Sequence, residues 1–260
     1  MFLSQLIVNT AGNPDQPRPG REWVRSTYRV HQRIWMAFPD EHKRHADPFF
    51  LGAWSTPDGV KPRRTEAGFL FRVEPDLPTR VLVQSVFRPD WEYAFQNARH
   101  LLAETPNVRE FNPDPVAGQP YKFRLAMLMV KRKTHKGSES AGPVEHPIRC
   151  LVPSPVAGEP FRPDPKFTAW REKLSSEALR HGFALGEYPS RLSVSPIRHL
   201  MMKPDKDGKA MPFNAAMFEG ELTCTDPEKL KAAMVGGIGR GKAFGMGLLS
   251  LAILPKKASG

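Results

Sequence analysis

Between Gly236 and Gly247 the chain reads GGIGRGKAFGMG, and no other stretch narrows so sharply what it can become. Glycine is costly to order and is placed where backbone takes positive φ or comes close to a ligand. This density, with Arg240 and Lys242 embedded in it, points to a loop whose N–H groups face an anion, most often phosphate. Gly236, Gly241 and Lys242 fit the GxxxxGK opening of a nucleotide P-loop, but Ala243 stands where that motif needs a Mg²⁺-binding Ser or Thr. The context is also inverted. A P-loop leaves a strand and opens a helix, whereas here a helix predicted over Pro227–Val235, capped by Asp226, leads in. The apolar run Leu248–Leu254 leads out and reads as a buried strand. A triphosphate site is disfavoured. An anion-facing loop and a purely structural helix–strand joint both stay open.

The rest of the chain sets this loop into a repeated order. A strand over Phe2–Asn9 precedes a helix over Arg21–Phe38 that Pro39 ends. Polar residues Glu41–Ala67 read as an insertion. Strands over Phe69–Glu74 and Arg80–Phe87, a helix from Asp90 to about Ala103, and a weak strand near Val108–Phe111 follow. Residues 112–119 are a Pro- and Gly-containing linker, dividing a unit at 1–111 from one at 120–260. The second unit opens with a strand over Tyr121–Val130 and a basic loop, then a helix over Pro165–His181. Strand-like segments Leu192–Met202 and Ala210–Thr223 are joined through Asp207-Gly208, a good hairpin turn. The fold expected is α+β: two tandem ferredoxin-like, RRM-like βαββαβ units. The aromatic signatures with which RNA-recognition sheets stack bases are absent from the sequence. Fold analogy therefore leaves function open.

Charge narrows the partner class. The 38 Lys+Arg against 27 Asp+Glu give a formal charge of +11, which suits a polyanionic partner, nucleic acid before an acidic membrane, with plain basic solubility an equal alternative on charge alone. Two cysteines, Cys150 and Cys224, build neither a disulfide framework nor a thiolate zinc site and suit a reducing cytoplasm. The opening MFLSQLIVNT is too short an apolar run, without a basic start, for a signal peptide or membrane span.

Candidate chemistry lies on the first helix. Tyr28 and His31, three residues apart, share one face. An imidazole exchanges protons near neutrality and a phenol can orient a phosphate oxygen. Arg21, Arg25, Arg29 and Arg33 bracket the pair. Tyr-x-x-His alone is a very weak motif and reads better as a structural pair; beside a basic chain and a glycine loop it becomes a site worth testing. His42 and His45 have metal-ligand spacing but read better as a solvated loop, and no carboxylate motif suggests a two-metal centre. No metal or cofactor is expected. The segment carrying Arg198, His199, Lys203, Lys206 and Lys209 has the look of a nucleic-acid arm, against a solvated edge as the alternative.

These residues together resemble the CasE-type CRISPR repeat-processing endoribonucleases of the type I-E Cascade complex. GIG-RGKAF-GMG at Gly237–Gly247 fits their glycine–hydrophobic–glycine pattern, and TYRVHQRIWMAFPD at Thr27–Asp40 resembles their first helix. FLFRVE, VLVQS, YKFRLAMLMVKRK, RCLVP and MFEGEL match in the same order through both halves. The resemblance implies metal-independent cleavage of precursor CRISPR RNA at the 3′ base of the repeat stem-loop. The ribose 2′-OH attacks, leaving 2′,3′-cyclic phosphate and 5′-OH ends. It implies His31 and Tyr28 as catalytic. It further implies RNA contact from Arg29, Arg33, Arg198, His199, Lys203, Lys206 and Lys209 and from Gly237, Gly239, Arg240, Gly241 and Lys242 of the loop. The mature crRNA would stay bound alongside other Cascade subunits, with no membrane and no DNA contact needed for processing. A non-catalytic RNA-binding subunit of the same fold is the alternative.

Overall fold

The computed structural model describes residues 1–10, 18–38, 68–74, 76, 78–133, 144–147, 165–187, 190–197 and 215–254. The insertion at 41–67, the His42/His45 pair and the segment from Arg198 to Lys209 lie outside these residues.

Strand β1 (Phe2–Ile7) leads into helices α1 (Pro19–Arg25) and α2 (Thr27–Trp35), then strands β2 (Phe69–Glu74) and β3 (Arg80–Ser85). A short helix α3 (Trp91–Phe95) and strand β4 (Asn107–Glu110) complete a four-stranded antiparallel sheet of order β2-β3-β1-β4. The chain continues through β5 (Pro120–Leu128), the β6 (Val130–Lys133) and β7 (Val144–Pro147) ribbon, α4 (Pro165–Arg180), β8 (Phe183–Leu185) and β9 (Leu192–Ile197). It ends with β10 (Ala215–Cys224), α5 (Pro227–Gly236) and β11 (Leu249–Ile253). The second sheet runs β11-β5-β10-β8, with β9 also on β10. In each sheet the first and third strands of a βαββαβ unit lie centrally and the second and fourth at the edges, which is the split-βαβ arrangement expected of ferredoxin-like units.

Two of the helices depart from the sequence expectation. The first helix is two helices, because Ser26 leaves helical geometry (φ −107°, ψ 97°) and its hydroxyl accepts from the Arg29 N–H that opens α2. Serine competes with the helix for backbone partners and favours this position. The helix after Asp90 stops at Phe95 rather than near Ala103. Arg33 Nη1 takes the Ala94 carbonyl at 2.9 Å, and the Ala98 N–H, which would otherwise claim it, bonds Phe95 instead.

Alternation along the strands builds one core per sheet. Leu6, Phe69, Phe71, Val81 and Val83 pack on Trp23, Val30, Ile34, Trp91 and Phe95. On the second sheet Phe123, Leu125, Met127, Phe218 and Leu222 pack on Trp170 and Leu174 of α4 and on Leu230 and Ala233 of α5. Each such fully buried side chain contributes about 1.5–3 kcal/mol. Strand β2 breaks the alternation: Leu70, Arg72 and Glu74 are also buried, although they point away from the first core. The second sheet covers that face. Arg72 Nη1 donates to the carbonyls of Leu248 (2.9 Å) and Arg124 (3.2 Å), across the seam between the two units.

Candidate functional site

Helix α2 buries Thr27, Val30 and Ile34 and leaves Tyr28 and His31 half-buried on an adjoining strip. The His31 ring is held by aromatic neighbours. Its centroid lies 5.3 Å from Phe69, 6.1 Å from Phe71 in a stacked pose, and 5.7 Å from Trp35 edge-on. Two of these rings come from β2, so strand and helix together fix the imidazole. Apolar packing of this kind restricts the ring to few orientations, as proton transfer requires.

The glycine loop folds against the same place. Helix α5, capped by the Asp226 carboxylate on the Lys229 N–H (3.1 Å), ends at Gly237 with φ 72°. The base of the loop is closed by Ile238 N–H to Gly247 O (2.9 Å) and Gly247 N–H to Ala126 O (2.8 Å). At its tip a 3₁₀ turn, Lys242–Phe244, lies between Gly241 and Gly245, both left-handed, and this turn packs on α2 and β2. Gly245 touches the histidine's own platform, since a Cβ there would stand 3.1 Å from the Phe71 ring. The sequence-derived helix and loop, distant along the chain, thus meet over Phe71.

Within the loop, the N–H groups of Gly237, Ile238, Phe244, Gly245, Met246 and Gly247 are taken by backbone carbonyls. Of the residues between, Gly239, Gly241, Lys242 and Ala243 have N–H groups that no backbone carbonyl takes among the described residues. Gly239 and Gly241 in this stretch have φ of 75° and 84°. Lys242 is half-buried and no carboxylate pairs with it among the described residues; burial lowers its pKa. Arg240 is exposed. Backbone donors beside a desolvated ammonium form a place suited to an anion.

The other predicted residues divide. Arg29 is exposed one turn before Arg33 on α2. Arg33 is engaged by the fold: it donates to Ala94 O and Asn97 Oδ1, each at 2.9 Å, with its guanidinium 5.9 Å from the Phe95 ring. Arg198, His199, Lys203, Lys206 and Lys209 fall outside the described residues. Among those described, no group of His, Cys, Asp and Glu is arranged to hold a metal ion, and no helix is long and apolar enough to cross a membrane.

Sequence reasoning missed a buried ionic network at the seam. Arg72 donates from Nε (2.8 Å) and Nη2 (2.6 Å) to Glu74 Oε1, and from Nη2 to Ser250 Oγ (3.0 Å). Arg124 bonds Glu74 and Glu219. Burial works against both charges of the Arg72–Glu74 pair; for Glu74 the two guanidiniums outweigh it and hold the carboxyl below its usual range, while for Arg72 burial prevails and its pKa is lowered. A groove of about 590 Å³ on the open face of the second sheet is lined by Arg72, Glu74, Lys122, Arg124, Arg191 and Glu219. Three of its four cations, Arg72, Arg124 and Arg191, already face carboxylates, so it offers a polyanion less than the loop does. The signal was present in the sequence as Arg and Glu inside the apolar strand FLFRVE and Gln inside VLVQS.

Two split-βαβ sheets, joined so that a histidine-bearing helix of one meets a glycine loop of the other, define the double ferredoxin-like class. Within it, the chain belongs to the CRISPR associated protein family, whose model matches residues 1–252. It is 30% identical to the CRISPR-associated endoribonuclease Cse3 of Thermus thermophilus, over 97% of this chain and 100% of that protein. It is 29% identical to the CRISPR system Cascade subunit CasE of Escherichia coli, over 98% and 100% respectively. The solved Thermus thermophilus Cse3 bound to an RNA representing a pre-cleavage complex superposes with a TM-score of 0.59, at 25% identity, covering 96% of this chain and 98% of that one.

Proposed function

We propose that this chain is a CRISPR endoribonuclease that cuts repeat RNA at the 3′ base of its stem-loop and keeps the mature crRNA within a Cascade complex, in the cytoplasm. One observation carries the reading: the His31 helix and the anion-suited glycine loop share Phe71. The 2′-oxygen of the nucleotide before the cut attacks phosphorus, the bond to the 5′-oxygen breaks, and the products are a 2′,3′-cyclic phosphate and a 5′-OH. His31 exchanges the proton, as base toward the 2′-OH or as acid toward the leaving oxygen, and Tyr28 orients the phosphate. Lys242 and the N–H groups of Gly239, Gly241, Lys242 and Ala243 offset the charge that develops on the phosphorane. Arg29, Arg240 and the basic segment Arg198–Lys209 would hold the RNA backbone, while Gly237, with its N–H on the Ala233 carbonyl, shapes the loop instead. The units 1–111 and 120–260 each supply half of the site.

The test is incubation with the host's repeat RNA in EDTA and mapping of product ends. Cleavage to a 2′,3′-cyclic phosphate, abolished by one 2′-deoxy substitution at the cut and by His31→Ala with RNA binding retained, is expected. RNA bound but uncut by the wild-type protein would make it a non-catalytic carrier. Undiminished cutting by His31→Ala would remove that residue from the chemistry.

A further inference from the structure

The glycine loop is secured at both ends by side chains from the opposite sheet. On the entry side, Gln84 of β3 donates its Nε2 to the carbonyl of Met234, in the last turn of α5, two residues before Gly236. On the exit side, Arg72 of β2 donates to the carbonyl of Leu248, the residue directly after Gly247. Both are almost fully buried, Gln84 at 3% and Arg72 at 2% exposure. Arg72 uses every donor it has: Nε and one Nη2 hydrogen on Glu74, the other Nη2 hydrogen on Ser250, and both Nη1 hydrogens on backbone carbonyls.

Buried polar side chains in strands are expensive unless fully bonded, and a fully bonded one fixes a single geometry. The partners here are main-chain carbonyls flanking the loop, so the bonds fix backbone position independently of what side chains the loop carries. The same two strands supply the groups beneath His31: β2 carries Phe69 and Phe71, and β3 pairs with β2 along its length. One rigid sheet therefore holds both the imidazole and the two ends of the loop.

We infer that Gln84 and Arg72 are positioning residues for the cleavage reaction, setting the glycine loop in register with His31 without touching RNA. This rests on the function proposed above. A purely structural role would cost stability alone; a positioning role costs rate per folded, RNA-bound molecule.

Gln84→Leu removes the entry bond with little change in volume. Arg72→Lys keeps a cation beside Glu74 while losing the forked contact to Leu248 and Arg124. Each full-length variant is measured for thermal unfolding, amide exchange, RNA affinity and single-turnover cleavage at saturating protein. The expected result is at least tenfold faster exchange at the bonded loop amides of Gly237, Ile238, Phe244, Gly245, Met246 and Gly247 with α4 unchanged, and a cleavage rate down at least tenfold. RNA affinity stays within threefold. Wild-type cleavage by both folded variants overturns the inference, as does exchange that rises evenly over the molecule or a rate loss without loop loosening. If one variant fails to fold, the other decides. If the wild-type protein itself binds but does not cut, the proposed function falls, and loop exchange alone then decides whether the two side chains hold the loop.

Discussion

At the scale of single residues, glycines that look interchangeable in the sequence are not. Gly236 is helical, and a Cβ there would meet nothing within 4 Å. Gly245 has φ 79° and would press on Phe71. Gly236→Ala is expected to raise stability by about 0.5–1 kcal/mol, the gain from replacing glycine in a helix, and to leave cleavage unchanged. Gly245→Ala strains a left-handed position, at about 1 kcal/mol or more, and displaces the ring on which His31 stacks, so single-turnover cleavage should fall at least tenfold. Denaturant unfolding and cleavage of the two variants side by side check this. The sequence marked the run as special but not which member touches what, since φ and neighbours are set by tertiary packing. That Tyr28 and His31 share one helix face was legible because such spacing is local; the aromatic cradle of His31 was not, because Phe69 and Phe71 come from another element.

At the scale of elements, β2 illustrates what patterning reveals and what it hides. Its bounds, Phe69–Glu74, agree with the reading of the apolar run. Its burial on both faces was hidden, because Arg72 and Glu74 look like a solvent-facing pair until the second sheet covers them. The strand β8 was missed for a related reason: three residues are too few to carry a period. The buried pair has a pH signature. A carboxyl held below its ordinary value stabilises the fold above its unfolded pKa, about 4.3 for Glu, and that contribution is lost as pH falls through the lower folded value. Urea unfolding should therefore show stability declining below about pH 4 in the wild type. Glu74→Gln should flatten that acid limb while costing on the order of 3 kcal/mol at neutral pH, because Arg72 is left buried without its counter-charge. A wild-type acid limb retained in Glu74→Gln would assign it to other carboxyls.

At the scale of the whole molecule, the formal charge of +11 becomes informative once the cations are placed. Arg72, Arg124 and Arg191 face carboxylates, whereas Arg29 and Arg240 are exposed on the helix and loop that form the candidate site. RNA affinity should fall steeply with salt, and Arg240→Ala should reduce the log–log slope by roughly 0.7–0.9, the contribution of one neutralised phosphate. A salt-independent affinity would contradict the basic-face reading. The doubled βαββαβ order was readable from the sequence because it follows from local periodicity; the seam was not, because its partners lie far apart, Arg72 and Leu248 by 176 positions. That separation has a consequence for the protein's birth. Chains emerge N-terminus first at about 5–20 residues per second, so roughly eight to thirty-five seconds pass between synthesis of Phe71 and of the glycine loop. If His31 and the loop form one site as proposed, the nascent chain lacks half of it throughout that interval, and a repeat-like hairpin in its own messenger should stay uncut until the loop has emerged.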